Sequence, residues 1–507
     1  MVHDRSRGSM VALAALVCLL GAPVAAQQTT TLTLAEALEL ARRNNPDFQA
    51  QQNDAIAADW RVREAYGAFL PTASANVGAS YQAEGTQRVG IFTGDELGIS
   101  GSTDYYSSDY SLGLGYALSG RDLLAPGQQK AARRATEAGI RAAGHNLATE
   151  VTRQYVLVLG ARDAVQLAEQ ELARARDNLA LAAARVSVGA AIPLDEKQAQ
   201  VEVGRSRVSL LQATNQAQTE LLRLSQVLGT SLPPDVALTT EFTVFDVPWT
   251  LAELERSALD AHPTLRAQRA QRESQETAVR MARTAYLPSL SMRAGWSGYT
   301  REAGNRENSV IQARNAMKSQ RDQCELLNAI SAGLSEPLPN TPADCAQFIL
   351  DPQDEARIRN SGQSFPFDFT GQPFSLSMQI SVPIFQGLGR ERAIQEARVS
   401  ADDAAHRLRA EELRIRTEVG TAYLNLVTAG ESVALEEVNL ELAADQLELA
   451  RQIYQVGQSA FIELQEAETV MARADRAYLN AVYAFHQNLA ALEAAVGRPL
   501  IDSQESR

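Results

Sequence analysis

The sequence is poor in the residues that do chemistry. It holds 3 cysteines and 5 histidines. His145, His262, His406 and His486 stand far apart, with no His-x-x-x-His pair, no Gly-x-Ser-x-Gly and no phosphate loop. Gly387-x-Gly389 lacks the third glycine of a nucleotide fingerprint. That inventory argues against an enzyme, and no catalytic residue, cofactor or metal is expected. No basic run stands out and the formal charge is −14, which argues against nucleic acid and favours cations or a basic partner. No apolar run reaches the roughly 20 residues of a spanning helix. What is present, 45% hydrophobic and 21% charged residues, is ordinary for folded protein.

Arg5 and Arg7, an apolar run from Met10 to Leu20 and the small residues Ala22 to Ala26 read as a secretory signal peptide over 1–26, and Cys18 is lost with it. The remaining Cys324 and Cys345 share one loop-like region. In an exported chain a disulfide between them is expected, with two free thiols the alternative.

The chain is written twice. Thr33-Leu34-Ala35-Glu36 recurs at Thr250-Leu251-Ala252-Glu253, each a capping box that starts a helix. At the same offset of 217, Pro46 matches Pro263 and Leu70-Pro71 matches Leu287-Pro288. Later the offset is 268, pairing Val188-Gly189 with Val456-Gly457 and Gly229 with Gly497. The first repeat is read as 27–248 and the second as 249–507, with the extra length in a long loop over 301–371. Helices are expected at about 129–187, 193–229, 388–455 and 461–497.

Strict alternation marks four strands, at about 72–82, 109–119, 289–299 and 373–384. Phe374, Leu376, Met378, Ile380 and Val382 form one face of the last, with serines and Gln379 opposite. In the long helices Val151, Val158, Val165, Leu172, Leu179 and Val186 recur every seven residues, as do Val419, Leu426, Val433, Leu440, Leu447 and Tyr454. Such heptads predict coiled-coil packing, over about 85 Å for 129–187 at about 1.5 Å per residue. Four strands cannot close alone, and open edges are not tolerated in hydrocarbon, so membrane strands require several copies. Tyrosines and Trp296 suit an aromatic girdle. A soluble periplasmic coiled-coil scaffold is the alternative; it explains the heptads and leaves the strands without a purpose.

The two halves, the Leu-Pro steps, the run ISVPIFQGLGRERA at 380–393 and the turns SVGAAIPLDEKQA and YQVGQSAFIELQEA together resemble the TolC-like outer-membrane efflux proteins. The resemblance implies a mainly α fold with membrane β. A homotrimer would form a twelve-stranded β-barrel in the outer membrane, four strands per chain, continued by a coiled-coil α-barrel in the periplasm. It implies the exit duct of a tripartite efflux or type I secretion system, with outer-membrane lipid, a periplasmic adaptor (membrane fusion protein) and an inner-membrane pump as partners. The adaptor would meet Val188, Gly189, Ala190, Val456, Gly457 and Gln458. Asp195, Glu463 and Glu466 would ring the entrance, where acidic rings favour cations; a solvated helix face is the plainer reading. Tyr454 and Asp195 match positions that hold such entrances shut, but Ser459 stands where the arginine partner would be, so a differently built gate is expected.

Overall fold

The computed structural model describes residues 31–501 apart from 84, 86–87, 94–103, 241, 337, 339–343 and 361–364. The signal peptide at 1–26, with Cys18, lies outside the described residues. Ten helices are numbered here in chain order among the described residues. Helix α1 (Leu34–Asn44) opens on the Thr33 capping box: Glu36 N–H donates to Thr33 Oγ1 at 3.2 Å and Thr33 N–H to the Glu36 carboxylate at 2.8 Å. Helix α5 (Leu251–Ala261) opens likewise on Thr250 and Glu253. Helices α2 (Pro46–Gly67) and α6 (Pro263–Arg283) each start with proline, whose missing N–H costs nothing in a first turn. The four long helices are α3 (Gly120–Ser187), α4 (Pro193–Leu228), α9 (Gly389–Gln455) and α10 (Phe461–Val496).

The chain forms two compact units, which cut across the halves of the sequence. The first takes the described parts of Met1–Ile56, Ala135–Ala270 and His406–Arg507. Heptad residues supply its core. Ala37, Ala41, Val151, Val158, Leu221, Leu224 and Leu228 pack in one cluster; Leu254, Ala258, Val419, Leu426, Leu489, Leu492 and Val496 pack in another. The residues of the two clusters stand at the offsets of 217 and 268. A third cluster joins Ala182, Ala199, Leu447, Tyr454, Phe461, Leu464 and Ala467.

The second unit, Ala57–Arg134 with Gln271–Ala405, holds the sheet. Its strands are β1 (Thr72–Gln82), β2 (Tyr105–Leu118), β3 (Ser289–Ala303) and β4 (Ser375–Ser381), antiparallel in the order β1-β2-β3-β4, with the short strand Thr370–Gly371 also against β3. Strands β2 and β3 run further than alternation alone suggested, because Tyr105 pairs with both Gln82 and Ala303. The register puts Ala75, Leu112 and Trp296 in one row, then Ala73, Leu114, Ala294 and Leu376, and then Tyr116, Met292 and Met378. One face is therefore apolar across all four strands from the Leu290 row to the Gly298 row, and carries Ser108, Thr300 and Glu302 beyond it toward Ala303.

The described part of the insertion read as a loop over 301–371 is largely helical, a correction. Helix α7 (Arg306–Ala332) is capped by Asn305, α8 is Pro352–Asn360, and a disulfide joins Cys324 to Cys345. Phe365 and Phe369 from this insertion lie against Tyr106 and Tyr110, and Pro366 O accepts from Ser108 Oγ at 2.6 Å. They cover the apolar face at the end beside Ala303.

Candidate functional site

The α3–α4 and α9–α10 turns have the same construction. Gly189 (φ 74°) and Gly457 (φ 83°) take left-handed backbone that a side chain would strain. Gly189 N–H donates to Val186 O and Ala190 N–H to Arg185 O; Gly457 N–H donates to Tyr454 O and Gln458 N–H to Ile453 O. Each pair closes the helix end in a Schellman cap. Val188, Gly189, Ala190, Val456, Gly457 and Gln458 are all exposed; Val188 and Val456 keep 77% and 70% of their surface free.

One side chain ties the two turns together. The Arg185 guanidinium sits 4.2 Å above the Tyr454 ring, donates to Tyr454 O and donates to Ala190 O at 3.1 Å. It brings a cation to the carbonyl-rich ends of two helices at once. Sequence reasoning passed over Arg185. Its signal was a basic residue in the last turn of α3, where cations suit unpaired carbonyls.

Tyr454 is 1% exposed and packs against Phe461, 5.7 Å between ring centroids. Burial pushes its phenol pKa up; Arg185 opposes this and Asp195 adds to it. No hydrogen bond joins Tyr454 to Asp195: the Tyr454 Oη and the Ser459 Oγ are both buried without a hydrogen-bond partner among the described residues. Glu463 and Glu466 are exposed, off the buried α10 face of Phe461, Leu464 and Ala467, and form no ion pair among the described residues. Above the turns, Glu468 is held by Asn178 at 2.7 Å and Arg451 at 3.1 Å, while Arg174 reaches Asp475 at 2.8 Å. These half-buried charges bind α3, α9 and α10 together and were not singled out from the sequence.

On the sheet, Tyr81, Tyr106, Tyr110, Tyr116, Trp296 and Phe374 belong to the apolar face, with Trp296 and Phe374 4.8 Å apart. Tyr105 and Tyr299 fall on the polar face, so only part of the set expected for a girdle lies on the apolar one. The described residues contain no helix apolar enough to cross a membrane and no group of His, Cys, Asp or Glu that could hold a metal.

Residues 37–230 and 355–498 match the profile of the outer membrane efflux protein family. The chain belongs to the outer membrane efflux protein family. Membership makes it an outer-membrane efflux channel rather than an enzyme. No curated protein matches the chain. Among solved structures, CusC, described in connection with transmembrane channel formation, is similar at TM-score 0.66 and 17% identity over 92% of both chains. The Campylobacter jejuni outer membrane channel CmeC gives 0.65 and 14% over 92% of this chain and 87% of that one. The Neisseria gonorrhoeae MtrE channel in its open state gives 0.64 and 18% over 92% and 89%. At these identities the likeness is one of fold, and this efflux protein shares it along most of its length.

Proposed function

We propose that three copies of this efflux protein close one twelve-stranded barrel in the outer membrane, and that the long helices wall a conduit in the periplasm. The assembly is the exit duct of a tripartite efflux or type I secretion system, passively conducting what an inner-membrane pump and its adaptor deliver. The observation that carries this reading is the sheet: one continuous apolar face, and two edges, β1 and β4, without a further strand among the described residues. Unpaired N–H and C=O groups cost several kcal/mol each in hydrocarbon, so each edge needs a neighbour's strand. From Gly298 to Leu290 the apolar rows run about 26 Å along the strand at about 3.3 Å per residue, which suits a tilted membrane strand.

The helices support the same assembly. Leu435, Leu442 and Leu449 on α9, Val456 directly after its end, and Leu194, Val201 and Val208 on α4 stand exposed at heptad spacing. These are second seams with no partner inside the chain's own cores, and neighbouring copies fit them. The matched offsets of the two core clusters favour an internal repeat. Asp195, Glu463 and Glu466 form the acidic entrance, the exposed Val-Gly turns meet the adaptor, and the Arg185–Tyr454 contact serves as the gate in place of an arginine at 459. Fractionation tests the reading: a heat-modifiable oligomer in the outer membrane is expected, and release of the chain by osmotic shock overturns it.

A further inference from the structure

The polar face of the sheet is almost without charge. Along β1 it carries Thr72, Ser74, Asn76, Gly78, Ser80 and Gln82, and along β4 Ser375, Ser377, Gln379 and Ser381. Its charged residues are Asp109 on β2 and Arg293 and Arg301 on β3. Two of these are engaged toward the end beside Ala303. Asp109 leans over Gly78, where a Cβ would stand 2.8 Å from Oδ1, and the Arg301 guanidinium lies 3.7 Å from the centre of the Tyr105 ring. Arg293 differs. Its row is Thr72, Gly115, Arg293 and Ser377, so glycine and serine flank it, and its exposed guanidinium makes no ion pair among the described residues.

We propose that Arg293 sets the ionic preference of the barrel part of the lumen, as a ring of three cations that favours anionic small molecules over cations there, opposite in sign to the acidic entrance. The inference rests on the trimeric barrel of the preceding section. Twelve strands about 4.8 Å apart and tilted by about 40° place the backbone about 12 Å from the axis. An arginine reaching inward by about 5 Å leaves its charge about 7 Å from a permeating ion. At that range in water three charges, screened over a Debye length of about 10 Å at 0.1 M salt, alter the local ion concentration on the order of threefold. A charged ring of this kind selects by sign, as acidic rings do in cation channels.

The test is the potassium-to-chloride permeability ratio of purified channels in planar bilayers under a KCl gradient. Arg293→Gln should raise the ratio on the order of tenfold, because cations gain and anions lose about threefold each, and Arg293→Glu should raise it further, with the difference collapsing at 1 M KCl, where the screening length falls to about 3 Å. Ratios equal to wild type in Arg293→Gln channels at low salt overturn the proposal. Wild-type protein that forms neither channels nor a heat-modifiable oligomer instead overturns the barrel reading beneath it. If Arg293→Glu does not assemble, Arg293→Gln, which keeps size and polarity, decides alone.

Discussion

Removing the Arg185 side chain should untie the two helical turns. Arg185→Ala deletes two hydrogen bonds from a charged donor, to Tyr454 O and Ala190 O, and a guanidinium stacked 4.2 Å over a ring that is itself buried. Taking about 1 kcal/mol for each hydrogen bond, the low figure that partial exposure demands, and about 1 kcal/mol for the stacked cation gives about 3 kcal/mol. At about 1.4 kcal/mol per decade this moves the balance between tied and untied turns roughly a hundredfold. Single-channel recording should show a more conductive or more often open channel, and cells should become more sensitive to large antibiotics. Arg185→Lys keeps the charge near the helix ends but loses the planar fork, and should recover less than half of the effect. A double-mutant cycle with Tyr454→Leu should give a coupling on the order of 1 kcal/mol. Ser459→Arg should tighten the closed state. The reasoning is refuted if Arg185→Ala channels assemble and then open and conduct as wild type does.

Met378→Arg places a charge on the apolar face, at about 2–4 kcal/mol per copy, and should abolish the heat-modifiable oligomer, whereas Gln379→Arg on the polar face should assemble and change conduction; equal effects sink the face assignment. His486, 3% exposed among Phe242, Tyr483 and Phe485, has burial pushing its pKa down to about 4, and neither ring nitrogen has a hydrogen-bond partner among the described residues. The unfolded chain protonates this imidazole near 6.5 and the folded chain only near 4, so stability falls as pH drops through that window, by about 2 kcal/mol after discounting for residual solvation. His486→Phe should remove that part of the pH dependence, read as the difference between the two proteins' melting curves from pH 7 to pH 4. Identical slopes refute it.

Much of this molecule was legible because its periods are strict. Alternation from Phe374 to Val382 cannot be helical, and heptads from Val151 to Val186 cannot be strand. Thr33 and Thr250 announce helix starts through chemistry local to four residues. The insertion was misread because Gly333, Ser335 and Pro337 near the end of α7 signal loop, while the helix buries few residues, Val310, Cys324 and Ser331 among them, and so has little apolar period. Arg185 was missed for another reason. Its counterpart at offset 268 is Ile453, so comparing the halves draws attention to what they share and away from the one side chain that joins their turns. Long-range contacts of that kind leave no period in a sequence.

The edges of β1 and β4, without a further strand among the described residues, bear on how the protein is made as well as on what it does. A lone copy cannot satisfy those edges in lipid, so for the proposed trimer insertion and association are one thermodynamic event, and the membrane form gains population with the cube of the concentration of free copies. Newly exported chains held below that concentration would wait in the periplasm with adhesive strand edges exposed, a form that invites wrong pairing. Modest underproduction should therefore remove finished channels much faster than it removes the polypeptide.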